Sequence, residues 1–207
     1  MAPLTEAQHS LALSIDKLYP SFRPTHALYL DLEGTGGGKE YVLSMYWPQN
    51  PRPRRFAWRV RSPSQPLTRA HMESALRELG VAPGKPTHIV VYSGGQREPD
   101  ERLRIQSLLG ADPWQEAEWV NLLFCVQRSM ELKRAIREHR TVVHAKDTKR
   151  VRYSLESVEW EFNIRRQPRI RSHSNIYADG QAGEMEVLRL ANQFVEGTIE
   201  DEDLQVL

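Results

Sequence analysis

The chain has one cysteine, Cys125, among 207 residues, so no intramolecular disulfide can staple it and its stability must come from a packed core. Cys125 lies in the apolar run Trp119-Val-Asn-Leu-Leu-Phe-Cys-Val126 and reads as a buried thiol. No stretch reaches the ~20 consecutive apolar residues of a bilayer-spanning helix. The start, Met1-Ala-Pro-Leu-Thr-Glu6, lacks a basic region followed by an apolar one; a cytoplasmic protein with no membrane partner is expected. Internal repeats and long low-complexity linkers are also missing, which leaves a domain boundary without support.

What is present suits a soluble globular chain. Hydrophobic residues make up 40% and charged residues 27%, well away from the composition of disorder. A chain of this length buries enough apolar surface to fold as one domain. That domain is expected to span residues 1–207, with 1–25 a helical N-terminal extension and 197–207 an acidic tail. The net charge of +1 conceals an uneven distribution. Lys149, Arg150, Arg152, Arg165, Arg166, Arg169 and Arg171 crowd one stretch, whereas Glu196, Glu200, Asp201, Glu202 and Asp203 fill the end. Such a basic run is either a solvated face or a surface that follows phosphates.

Apolar spacing predicts a first helix over 5–18, ended before Pro20 and a candidate peripheral element. Strand-like runs follow at 26–32, 41–47 and 55–60, divided by a glycine cluster and a proline-rich stretch. Three consecutive strands joined by turns suggest an antiparallel meander. The pattern then alternates: a helix over 68–79, a strand over 88–92, a helix opened by Pro99, and a strand over 118–123. Further helices are predicted over 126–139, 154–163 and 181–196. This order implies an α/β fold, with a mixed sheet of an antiparallel meander plus parallel strands, flanked by helices.

The most informative segment is Leu30-Asp31-Leu-Glu33-Gly34-Thr35-Gly36. Side chains at i and i+2 of a strand share a face, so Asp31 and Glu33 are expected to project together beside a glycine-rich turn. Two like charges there either sit solvated at an exposed strand end or need a cation to offset their repulsion. Hard oxygen ligands suit Mg²⁺ or Mn²⁺. A phosphate-binding loop of the G-x-x-x-x-G-K-[ST] kind is rejected, because Glu33 occupies the first glycine position and Glu40 follows Lys39 where a hydroxyl is required.

The run from Asp31 to Gly36 resembles the first motif of the DEDD superfamily of 3′–5′ exonucleases, D-x-E-[TG]-T-G at the end of the first strand. The resemblance implies an RNase H-like five-stranded mixed sheet, with both acids on metal and the backbone near Thr35 and Gly36 meeting the terminal nucleotide. A second acid is then expected after the fourth strand, near the start of a helix. Asp100 is the preferred ligand, with Glu98 and Glu101 in contention; all three also suit a helix N-terminus without any metal. The loop departs from the family, being longer and lacking its usual Asn and Phe-Asp arrangement.

The third motif resembles the family's His branch: a Ser-Leu pair at 154–155 opens one helix, and His173 precedes Asp179 before another. His173 stands six residues before Asp179 where the family usually has five; Tyr177 is the substitute. The remaining histidines, at 9, 26, 71, 88, 139 and 144, read as structural or surface residues. The resemblance spans roughly 26–195, and the first motif is its specific part.

What the resemblance implies is two-metal phosphodiester hydrolysis on DNA or RNA with a free 3′ end. Asp31, Glu33, Asp100 and Asp179 are the implied ligands of two Mg²⁺ or Mn²⁺ ions, and His173 the implied general base. Arg169 and Arg171, with Arg52, Arg54, Arg55, Arg59 and Arg61, are candidates for guiding the strand by its phosphates. Tyr46, Trp47, Trp58 and Tyr92 either stack on bases or belong to the core. Two alternatives stay open: a nucleic-acid-binding or scaffolding domain of this fold with an incomplete metal shell, and an RNase H-like endonuclease.

Overall fold

The computed structural model describes residues 5–34, 40–50, 56–61, 64–82, 84–94, 97–143 and 158. Strand β1 runs over Ala27–Gly34, β2 over Glu40–Tyr46 and β3 over Phe56–Val60. Strand β4 covers His88–Val91 and β5 covers Glu118–Asn121. They form one mixed sheet in the order β3-β2-β1-β4-β5. β2 pairs antiparallel with β1 and β3, whereas β4 pairs parallel with β1 and β5, so β2 alone runs against the rest. The fold is α/β, with the meander and the parallel pair on opposite sides of β1.

Side-chain alternation along β1 builds two cores. Leu28, Leu30 and Leu32 face one way, onto helices α2 (Arg69–Leu79) and α3 (Asp100–Leu109), through Met72, Ala75, Leu79, Ile105 and Leu109. Ala27 and Tyr29 face the other way, onto α1 (Glu6–Leu18), α4 (Leu122–Arg128) and α5 (Met130–Val143). A strand covered on both faces has to be apolar nearly throughout, and β1 is apolar until Asp31.

Helix α1 is no peripheral element. Its start is fixed by a capping box, in which the Gln8 N–H donates to Thr5 Oγ1 and the Thr5 N–H donates back to Gln8 Oε1. Its inner stripe of Ala7, Leu11 and Ile15 is buried, and the Ser14 hydroxyl donates to the Cys125 carbonyl at 2.9 Å. The chain also turns earlier than its apolar run suggests. β5 ends at Asn121, whose side-chain oxygen accepts the Leu123 N–H at 3.1 Å and so caps α4. The single helix expected over 126–139 is two helices, because the Ser129 N–H closes α4 onto the carbonyls of Cys125 and Val126.

Candidate functional site

Asp31 stands on β1 two residues beyond Tyr29, the last β1 residue paired with β4. On its other side it lies opposite Ser44 of β2. It is half-buried, at the place where the chain leaves β4 and the parallel strands separate. The C-terminal edge of parallel strands is where α/β sheets place their ligands. Glu33 is described by its backbone, opposite Val42; its side chain, with Thr35 and Gly36, lies outside the described residues.

From β4 the chain passes through Ser93 and Gly94 and enters α3 behind Pro99. Proline at the cap offers no side-chain acceptor; the Ser93 hydroxyl takes that role, accepting the Asp100 N–H at 3.2 Å. The three acids left open by the sequence part company here. Glu98 is exposed and accepts from Arg102 Nη1 at 2.8 Å. Asp100 is exposed too, and its Oδ2 lies 2.9 Å from the point where a Cβ on Gly94 would stand. Glu101 is 6% exposed and turns inward.

Burial pushes the Glu101 carboxyl above the usual carboxylate range. The Ser93 hydroxyl and the Arg104 guanidinium pull against that rise, while the charge on Asp31 adds to it. Glu101 Oε2 is buried with no hydrogen-bond partner. Arg104 does little for it because its charge is engaged elsewhere. Its Nε donates to Glu40 Oε1 at 2.9 Å and its Nη1 to the Leu32 carbonyl at 2.9 Å, leaving Glu101 Oε1 at 3.7 Å. Two carboxylates, those of Glu40 and Glu101, thus flank the Arg104 guanidinium at the start of α3.

Asn121, fully buried at the end of β5, holds this corner together. The ladder between β4 and β5 stops at Val91 and Asn121, and the Asn121 carboxamide extends it to the next turn. Its Nδ2 donates to the Ser93 carbonyl at 2.8 Å and its Oδ1 accepts the Ser93 N–H at 3.2 Å. Neither Ser93 nor Arg104 stands out in the sequence; Asn121, a polar residue inside an apolar run, was the available signal.

His173, Tyr177, Asp179, Arg169 and Arg171 lie outside the described residues, as do Arg52, Arg54 and Arg55. Arg59 is tied to Ser74 and Glu78 of α2, each at 2.9 Å, and Arg61 donates to Gln65. Tyr46 and Trp47 are core residues, and Tyr92 packs half-buried against the α1 side; Trp58 is described by its backbone alone. His88 is structural: it is buried against Phe22 and the Thr87 hydroxyl, with burial holding its pKa below the usual value. Among the described residues no three of His, Cys, Asp and Glu come together to hold a metal ion, and no helix is long and apolar enough to cross a membrane. No protein-family model, curated protein or solved structure matches the chain.

Proposed function

We propose that this chain is a metal-dependent 3′–5′ exonuclease of RNase H-like fold, hydrolysing phosphodiester bonds of DNA or RNA. The observation that carries the reading is the buried carboxyl of Glu101 at the start of α3, one oxygen of which has no hydrogen-bond partner, on the helix that follows the strand next to β1. Further support comes from the strand order β3-β2-β1-β4-β5 with β2 reversed, the meander-plus-parallel layout that the resemblance implies.

A divalent cation fits this corner on the chemistry of its donors. A buried carboxylate oxygen on Glu101 without a hydrogen-bond partner is an arrangement that a hard cation relieves. In this reading Asp31 and Glu101 hold metal on the described side of the site. Glu33, Asp100 and Asp179 complete the shell. Two ions bound there would supply an activated water, a clamp on the non-bridging oxygens and stabilisation of the leaving alkoxide. His173 takes the proton from the attacking water, and Arg169 and Arg171 orient the strand by its phosphates.

Calorimetric titration with Mn²⁺ and digestion of end-labelled DNA and RNA, with and without chelator, test the proposal. Metal binding together with shortening from the 3′ end is expected, and a 3′-blocked strand should resist. Efficient cutting of a closed circle would point to an endonuclease instead. Nucleic-acid binding without Mn²⁺ binding would establish the non-catalytic reading.

A further inference from the structure

His88 opens β4 with its side chain buried, and Glu118 stands opposite it at the start of β5. The turn after α1, residues 19–22, closes over this pair. The Ser21 hydroxyl donates to Glu118 Oε2 at 2.6 Å and stands 3.4 Å from His88 Nε2, which is itself 3.6 Å from the same carboxylate oxygen. Phe22 meets the imidazole edge-on, with the ring centres 5.3 Å apart. Tyr19 pins the other end of the turn. Its hydroxyl accepts the Asn121 N–H at 3.3 Å, and the Asn121 side chain grips the N–H and the C=O of Ser93 in the loop entering α3.

These contacts fix the hydrogens. A hydroxyl has one hydrogen to give, and Ser21 gives it to Glu118 because a carboxylate only accepts. His88 Nε2 must then carry a hydrogen of its own to bond to Ser21 Oγ. In the neutral ring this leaves Nδ1 as an acceptor, filled by the Thr87 hydroxyl at 2.8 Å. A second proton on the ring occupies Nδ1 and turns the Thr87 hydrogen away, towards the His26 carbonyl at 3.4 Å, which already accepts the Thr87 N–H. It also places a charge where burial disfavours it. The Glu118 carboxylate favours that charge, but Arg23 and His26 oppose it, and Arg97 Nη2, 4.0 Å from Glu118 Oε1, competes for the carboxylate.

We propose that Ser21, Thr87, His88 and Glu118 form a proton-operated clasp, which holds the turn after α1, and through Tyr19 the loop entering α3, while His88 is neutral. The clasp does not depend on the metal reading above. Once the turn lifts, His88 meets water and titrates near its ordinary value of about 6.5. The closed form takes up the proton only at lower pH, so closure is at full strength above about 6.5 and weakens as pH falls towards the lowered value. Within that window the opening constant rises by up to about tenfold per pH unit.

Two measurements on the full chain test this. Long-range ¹H–¹⁵N spectra read the imidazole directly. Wild-type His88 should carry its hydrogen on Nε2 at about pH 7.5 and titrate with a midpoint below about 6.5. Glu118→Gln keeps an acceptor for Ser21 but loses the charge, and should lower the midpoint further. A hydrogen on Nδ1, or a midpoint at or above the ordinary value, overturns the clasp. The second measurement is amide hydrogen exchange, compared as protection factors at about pH 7.5 and about pH 5.5. The Phe22 N–H, which donates to the Tyr19 carbonyl at 2.9 Å, should lose up to about tenfold in protection on acidification, with the Asn121 and Ser93 N–H following it. All three should exchange more readily than the amides of the β1–β2 ladder, because the opening is local. In His88→Gln their protection should be the same at both pH values. Protection in wild type that ignores pH, that changes equally in His88→Gln, or that equals the ladder's overturns the proposal. A loss at Phe22 with Ser93 unmoved overturns the link to the loop. The wild-type titration decides the matter even where His88→Gln fails to fold.

Discussion

Arg104 on α3 and Glu40 at the head of β2 form a two-point ion pair. Nε donates to Oε1 at 2.9 Å, and Nη2 lies 2.9 Å from Oε2 without hydrogen-bond alignment. Glu40 is 6% exposed at its side chain and Arg104 29%, so the pair is shielded on the carboxylate side. It ties α3, and with it Glu101, to the end of the meander.

Breaking that pair from one side strands a buried carboxylate and the Leu32 carbonyl. Arg104→Met is therefore expected to cost about 2–4 kcal/mol by urea denaturation, less than a fully buried pair because Arg104 retains some solvent. Adding Glu40→Met should recover most of the loss, since a matched apolar replacement removes the orphan. A double variant as unstable as the single one would show that packing, not charge, dominates.

Glu101 gives the protein a defined pH response. Its folded-state pKa is raised, so the native protein keeps a proton that the unfolded chain releases near the ordinary Glu value of about 4.3. This contribution is complete below that pH and is lost as pH rises through the raised value. Glu101→Gln should match wild type near pH 4 and exceed it at pH 7–8 in metal-free buffer. A gain on the order of 1 kcal/mol, or about 2–4 °C in Tm, is expected. A Tm difference that does not change with pH contradicts the assignment.

Cys125 supplies an internal reporter. Burial pushes its thiol up to about 12, and no part of the side chain meets solvent. Native protein at pH 8 should leave a thiol-reactive dye unconsumed, and one equivalent should react on unfolding in urea. Fast native labelling would mean that α1 and α4 separate readily.

Asp31→Asn keeps the shape of the strand end and removes its charge. On the proposed two-metal reading, in which Asp31 is a ligand, hydrolysis should fall by at least about 100-fold. The protein should remain folded by circular dichroism. His173→Ala should lower turnover far more than substrate binding. An undiminished rate in the Asp31 variant would remove that residue from the chemistry.

Much of the fold was legible before any coordinates. The apolar run that breaks at Asp31, the glycine and proline punctuation and the shift to helical period place β1 to β5 and α1 to α3 close to where they are found. The boundaries that moved have local causes. Asn121 caps α4 with its side chain two residues before the expected strand end at 123, and Ser129 closes one helix before α5 begins. The inward role of α1 was not legible, because an amphipathic stripe indicates that a helix packs but not against what.

For the site, residue order alone determined that acids stand at the end of the first strand and at the start of the helix after the fourth. Strand alternation and helix-end chemistry are local rules and can be read from neighbours. Which of Glu98, Asp100 and Glu101 is buried was decided by tertiary structure: Glu98 precedes the Pro99 cap, while Asp100 and Glu101 open α3 and differ by rotation about its axis. That rotation is set by contacts distant in the chain: Arg104 with Glu40 and Leu32, and Asn121 with Ser93. Each joins elements that no periodicity relates, so the long-range packing alone decided where the buried carboxyl points.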